Sequence, residues 1–243
     1  MQTVYTFLIA LFGMVRHDPG AEQVVRQMYD RYQGKWFKTF TFLQTTESYK
    51  NDTLVKKSTW YEAISFPDKF RIDFGNPSEG NAVIFRHDSM YRFANGQLKA
   101  KGVDANDLTF LLGGMYFHSF DEVVKQLGVL HYDLSRFHKD HWKNKDVYVI
   151  GANNNEEKSN QLWIDQEKLV LVRMIKYDDN RKEEGLFENQ IQAAGGWSET
   201  VAVFYIDDKL IQKEYYYECK TNPVINPGVF DPSQVGKVHW YKP

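Results

Sequence analysis

The sequence is poor in the features that usually announce a function. It has one cysteine, Cys219, so no internal disulfide can form, and cysteine usage leaves the redox compartment open. That residue sits in "YYYECKT", far from the N-terminus, which excludes a bacterial lipid-attachment cysteine. It reads as a small apolar group in a strand. Charge of one sign is lacking as well: 30 Lys and Arg face 32 Asp and Glu, for a net charge of −2. Nucleic acid and anionic membrane both require clustered Lys or Arg, so neither is an expected partner. No G-x-G-x-x-G or P-loop points to a nucleotide, and no G-x-S-x-G elbow points to a serine hydrolase. No internal repeat, low-complexity segment or linker marks a second domain. Residues 18–243 therefore read as one domain.

An apolar run long enough for a spanning helix is missing too. The longest apolar run, "TVYTFLIALFGMV" (Thr3–Val15), falls short of the ~20 residues a spanning helix needs. Its length fits the apolar region of a secretory signal, so residues 1–17 are expected to be an export segment. No Lys or Arg precedes the run and no small-x-small cleavage site follows it before Arg16. A buried N-terminal helix or strand is the plainer alternative.

Aromatic residues are what the chain has in excess, at 16%, with Tyr (15) and Phe (17) supplying most of them. That enrichment favours strands. A helix is expected first: Asp18 is placed to cap it and Pro19 suits its first position. Ala21, Val24, Val25, Met28, Tyr29 and Tyr32 then recur at helical spacing, and Gly34 is a natural stop. From Trp36 the period becomes two. "FKTFTFLQTTESYKNDTLVKKSTWYEAIS" predicts two strands joined near Asn51-Asp52, followed by "KFRIDFG". "NAVIFRHDSMYRFANGQL" predicts two more joined through His87-Asp88-Ser89, with Asn95-Gly96 as the next tight turn.

Two short helices are expected next, Asn106–Leu112 and Asp121–Leu127, capped by Asp104 and Ser119. Gly113-Gly114 between them is a helix terminator and a potential hinge. Strands return in "DVYVIGA", "NQLWIDQ", "LVLVRMIKYD" and "GWSETVAVFYIDDKLIQKEYYYECKT". Asp165-Gln166-Glu167-Lys168 and Asp207-Asp208-Lys209 are the turns. "GANNNEEKSN" (151–160) reads as a hairpin tip, and the proline-rich tail "NPVINPGVFDPSQ" as a surface wrap. The fold class is α+β, a curved, incomplete antiparallel β-barrel covered by helices on its concave face.

These words, in this order, resemble the periplasmic outer-membrane lipoprotein carriers of the LolA/LolB-like lipoprotein-sorting family. The likeness is carried by the strands "FTFLQTTESYKNDTLVKKSTWYEAISFPDKFRIDF", with their Trp and their Pro-x-x-Phe, and by the hairpin "NAVIFRHDSMYRFANGQLK". The late hairpin "NQLWIDQEKLVLVRMIKYDD" and the closing "PGVFDP" complete it, so that it spans roughly Val24 to Pro232. The resemblance implies a half-open barrel with a helical lid and a non-enzymatic, exported carrier that uses no cofactor. The implied partners are an acylated lipoprotein or lipid and membrane-bound donor or acceptor proteins. Family members tend to hold their lid with an Arg directly before the strand proline. Here that position is Phe66, so the arginine latch is not carried over.

The candidate cavity lining is Phe40, Phe42, Trp60, Phe70, Ile72, Phe85, Tyr91, Phe93, Leu108, Leu111, Leu112, Trp163 and Met174. Alternate residues of a half-closed barrel line its concave face. Each buried acyl methylene contributes ~0.8 kcal/mol, and the cavity is expected to be uncharged. The rival reading is an envelope scaffold or sensor in which the same residues fill the core. In "KFRIDFG", Phe70, Ile72 and Phe74 should face inward, with Arg71 and Asp73 in water. An enzyme would need a polar set inside the curve, for instance His87, Asp73 and Arg71 converging. His138 and His141 in "HKDHW" would meet on a helix, but nothing completes a metal site around them. Asp178-Asp179 and Glu183-Glu184 read as solvated charge in turns.

Overall fold

A computed structural model describes residues 20–154, 158–178 and 181–241. The expected export segment, the Asp18 cap and Pro19 lie outside the described residues, as do Asp179 and part of the 151–160 loop. The first element among the described residues is helix α1 (Ala21–Tyr32), whose N-cap is Gly20. Six strands follow: β1 (Thr39–Lys50), β2 (Thr53–Ser65), β3 (Lys69–Phe74), β4 (Ala82–Arg86), β5 (Ser89–Ala94) and β6 (Gln97–Val103). Then come α2 (Asp107–Leu111), a 3-10 turn at Gly114–Phe117 and α3 (Phe120–Val129). The remaining strands are β7 (Phe137–Trp142), β8 (Lys145–Ile150), β9 (Gln161–Asp165), β10 (Leu171–Asp178), β11 (Arg181–Glu188), β12 (Ile191–Ala193), β13 (Gly196–Ser198), β14 (Val201–Ile206) and β15 (Lys209–Thr221).

Thirteen of these strands form one sheet in the order β6-β5-β4-β3-β2-β1-β15-β14-β11-β10-β9-β8-β7, and every pairing is antiparallel. Its two edges, β6 and β7, are not joined by a ladder, so the sheet stays open. The short β12–β13 hairpin stands apart from it. Tight turns carry positive φ at Asn51-Asp52, His87-Asp88 and Asp207-Asp208, where Asn, Asp and His tolerate the left-handed region best.

Side chains paired directly across antiparallel strands share a face. Phe42, Glu62 and Ile72 are therefore on the inner face, and Thr41, Ala63 and Arg71 on the outer one. Helices α1 and α3 cover only one half of the inner face. There Val25, Met28 and Leu127 meet Ile150, Leu162, Ile164 and Leu171 in a filled core. Ser119 and Glu122 form the capping box that starts α3: the Ser119 backbone N–H donates to the Glu122 carboxylate at 2.8 Å, and Glu122 N–H donates to Ser119 Oγ at 3.4 Å. Asn106, not Asp104, caps α2, accepting from Thr109 N–H at 3.0 Å.

The outer face departs from expectation. Arg71 and Asp73 do not meet water; they are 0% and 1% exposed. The tail crosses over them, with Val229 and Phe230 packed on Ala63, and Val235 on Ala82, Ile84 and Phe93. Glu183 and Glu184 lie in β11, not in a turn, and Glu184 accepts from Arg173 Nε at 2.6 Å.

Candidate functional site

The uncovered half of the inner face holds a cavity of about 280 Å³. Its floor is the alternating inner set of β1, β2 and β3: Phe40 and Phe42, then Trp60, Glu62 and Ile64, then Phe70 and Ile72. Phe187, Phe204, Gln212, Glu214 and Tyr216 continue the wall through β11, β14 and β15. The rim comes from Phe37, Phe66, α2 with the residues beside it, and the segment Trp197–Glu199.

The rings interlock around this space. Phe37, Phe40 and Phe42 follow one another at centroid separations of 5.2 Å, and Phe42 meets Tyr216 at 4.4 Å. Phe66, at the position where the resemblance implies an arginine, stacks on Phe117 of the 3-10 turn at 5.7 Å, with 10° between the ring planes. An aromatic stack therefore joins the β2–β3 turn to the helical segment. Gly113 allows the close approach of the rim: a Cβ there would stand 2.3 Å from Trp36 Nε1 and 2.9 Å from the Phe66 ring.

Seven of the thirteen residues expected in the lining border the cavity: Phe40, Phe42, Trp60, Phe70, Ile72, Leu108 and Leu112. Phe85 lies on the same face beyond it, its ring 6.0 Å from that of Phe70. Met174 borders an adjoining groove that shares Leu108, Phe204 and Gln212 with the cavity. Leu111 turns the other way from Leu112 and packs in the filled core with Met115 and Leu171. Three positions are corrected outright. Tyr91 and Phe93 pair with Ile84 and Ala82 on the outer face. Trp163 pairs with Arg173 there, with the guanidinium 4.5 Å from its ring centroid.

Ionisable groups line the cavity, where the sequence led us to expect none. Glu62, Glu199 and Glu214 line it, each buried. Glu214 accepts from Gln212 Nε2 at 2.5 Å and from the Tyr216 hydroxyl at 2.8 Å. Burial raises the affinity of all three for a proton, and Glu214 and Glu199 push Glu62 further up. Glu199 is raised to about 7. The alternation held this signal. Trp60, Glu62 and Ile64 share a face in "WYEAI", and so do Gln212, Glu214 and Tyr216 in "QKEYY".

His87, Asp73 and Arg71 do not converge in the cavity. Arg71 and Asp73 are sealed under the tail, while His87 is on the surface with Nδ1 2.7 Å from Asp68. His138 and His141 are on strand β7, where residues three apart point to opposite faces. His138 Nδ1 reaches the Ala152 carbonyl at 2.9 Å and His141 Nδ1 reaches Asp146 at 3.1 Å. Among the described residues no group of His, Cys, Asp and Glu has the geometry of a metal site. Cys219 is half-buried, and burial pushes its thiol up to about 11.

Solved structures with this arrangement exist. A DUF1329 family protein from Desulfovibrio piger superposes with a TM-score of 0.63 at 13% identity, covering 88% of this chain and 97% of that one. A domain named for outer membrane lipoprotein sorting, from Vibrio parahaemolyticus, matches with a TM-score of 0.61 at 12% identity over 90% of this chain and 98% of its own. A LolA superfamily protein from Nitrosomonas europaea matches at 0.55 and 12% identity over 88% and 98%. The fold is LolA-like. No protein-family model and no curated protein matches the sequence. Within this LolA-like fold, the cavity is enclosed by α2 and the Trp197–Glu199 segment, while α1 and α3 sit on the filled half.

Proposed function

We propose that this protein is a non-enzymatic carrier of the cell envelope that holds the acyl chain of a lipid or lipoprotein in the inner-face cavity. The observation that carries the reading is the partition of the inner face. One half is packed solid beneath α1 and α3, and the other leaves about 280 Å³ walled by aromatic rings. That volume is near the lower end of the ~300–1,000 Å³ common for ligand pockets. Each methylene taken in contributes ~0.8 kcal/mol, so a medium-length chain yields several kcal/mol after the costs of association. The similarity of fold to a structure named for lipoprotein sorting supports the same reading. In it the protein is exported, loads from a membrane-bound donor and releases when a membrane or acceptor competes for the chain. Movement of α2 and its rim neighbours gives the chain entry.

The test is native mass spectrometry with lipid extraction on protein purified from its own envelope fraction without detergent. A co-purifying acylated species is the expected result. A bare protein mass, repeated after incubation with lipids and an acylated peptide, would favour a scaffold or sensor role and overturn the carrier.

A further inference from the structure

We infer that the cavity receives an amphiphile whose apolar chain ends in a cation, an alkyl amine or ammonium head seated among Glu62, Glu199 and Glu214. This rests on the reading of the cavity as a ligand site, and it specifies the ligand.

The argument starts from how this protein treats its other enclosed carboxylates. Asp73 has Arg71 at 2.7 Å, Asp165 has Lys145 at 3.0 Å and Glu184 has Arg173 at 2.6 Å. The three glutamates of the cavity have no such partner, because no Lys, Arg or His lines it. Glu214 is held by neutral donors alone. Glu62 is only 4% exposed, borders the cavity, and makes no hydrogen bond or ion pair among the described residues. Glu199, 9% exposed, also borders it, and its carboxyl is met only by its own backbone N–H.

An unpartnered buried carboxyl is costly as an ion and keeps an unmatched polar group as an acid. A chain with no polar head would leave that cost in place, and an anionic head would add repulsion. A cation removes it, and the rings of Trp60 and Trp197 on the cavity wall add cation–π attraction for an ammonium. The remaining titratable group on the wall is Tyr216, with Cys219 near Glu199. Since burial holds the glutamates toward their protonated forms near neutral pH, a fixed-charge cation should release protons as it binds.

The experiment is isothermal titration calorimetry on the full chain at pH 8 and pH 5. The probes are octyltrimethylammonium, its uncharged analogue with a tert-butyl head, and octanoate. Expected are at least tenfold tighter binding of the cation than of the neutral analogue at pH 8, still weaker binding of octanoate, and a loss of the cation's advantage at pH 5. Near pH 7, buffers of different ionisation enthalpy should reveal proton release for the cation only. The isosteric variants Glu62→Gln and Glu199→Gln should remove the cation's advantage over the neutral probe. Equal affinity of cation and neutral analogue for the unaltered protein would overturn the inference and leave the acyl carrier standing. Failure of all three probes to bind would remove both readings.

Discussion

Arg71 and Asp73, two residues apart on β3, hold each other through two hydrogen bonds of 2.8 and 2.7 Å, with both side chains shut off from solvent. The third guanidinium nitrogen of Arg71 reaches beyond its strand: Nη1 donates to the Val229 carbonyl at 2.9 Å and to the Val238 carbonyl at 3.0 Å. One arginine thus fastens the C-terminal tail across the outer face, and Arg86 adds a bond to the Phe230 carbonyl at 3.3 Å.

Breaking one side of that pair leaves a buried charge without its counterion, which costs about 3–5 kcal/mol. Arg71→Met should therefore lower the melting temperature by roughly 10 °C in differential scanning calorimetry, at about 2–4 °C per kcal/mol for a chain this long. Limited proteolysis should cut the tail of this variant first. The double change Arg71→Met with Asp73→Leu removes both charges and should recover much of the loss. Unchanged melting in the single variant would mean that the tail is held without Arg71, by its apolar contacts and Arg86.

The glutamates impose a stability penalty that depends on pH. Glu199 is raised to about 7 from an ordinary 4.5. Below about 4.5 the carboxyl is neutral in both the folded and the unfolded chain. As pH rises toward 7 the unfolded chain ionises first, so native stability falls, and above 7 the penalty is constant. At roughly 1.4 kcal/mol per pKa unit, Glu199→Gln should stabilise the protein by about 3 kcal/mol at pH 8 and by nothing at pH 4. Urea melts at the two pH values measure both. A gain of the same size at pH 4 would place the effect in packing, not in ionisation.

Filling or charging the cavity should separate binding from folding. Trp60→Asp and Phe70→Asp should abolish uptake of a fluorescent fatty-acyl probe while far-UV circular dichroism stays that of the parent. Leu112→Trp should block the same space without adding charge. Retention of the probe by all three variants would show that the chain is held elsewhere.

Gly113 is one position where the rim leaves no room for a side chain. Gly113→Ala would force a methyl into the Trp36 and Phe66 rings, and such overpacking costs about 1–3 kcal/mol. A fall in melting temperature together with a changed near-UV signal from the displaced tryptophan is the expected outcome. If both are unchanged, the rim is loose enough to make room.

Much of the strand plan was legible because the tight turns are written in Asn, Asp and Gly and because alternation has a period of two. The two strands either side of Asn51-Asp52 and the hairpins at His87-Asp88 and Asp207-Asp208 followed from those signals. Strand β11 did not, since "RKEEGLFE" looks like a polar loop until Arg173 from β10 is set against Glu184. The site was partly legible for the same reason. Phe40, Phe42, Trp60, Phe70 and Ile72 share a face that the spacing defines. Tyr91, Phe93 and Trp163 have equally apolar spacing but belong to the other face.

What the sequence determined by itself is the set of strands, their turns and the division of each strand into two sides. A period of two separates the sides without saying which one becomes interior. The tertiary structure decided that in two places. The tail, arriving more than a hundred residues after β3, turned the side carrying Arg71 and Asp73 from an expected water face into a sealed one. The halting of α1 and α3 over β8 to β10 left the side carrying Trp60, Glu62 and Ile64 facing a cavity and not a packed core. Both outcomes depend on what packs against a face, and distant segments of the chain supply it.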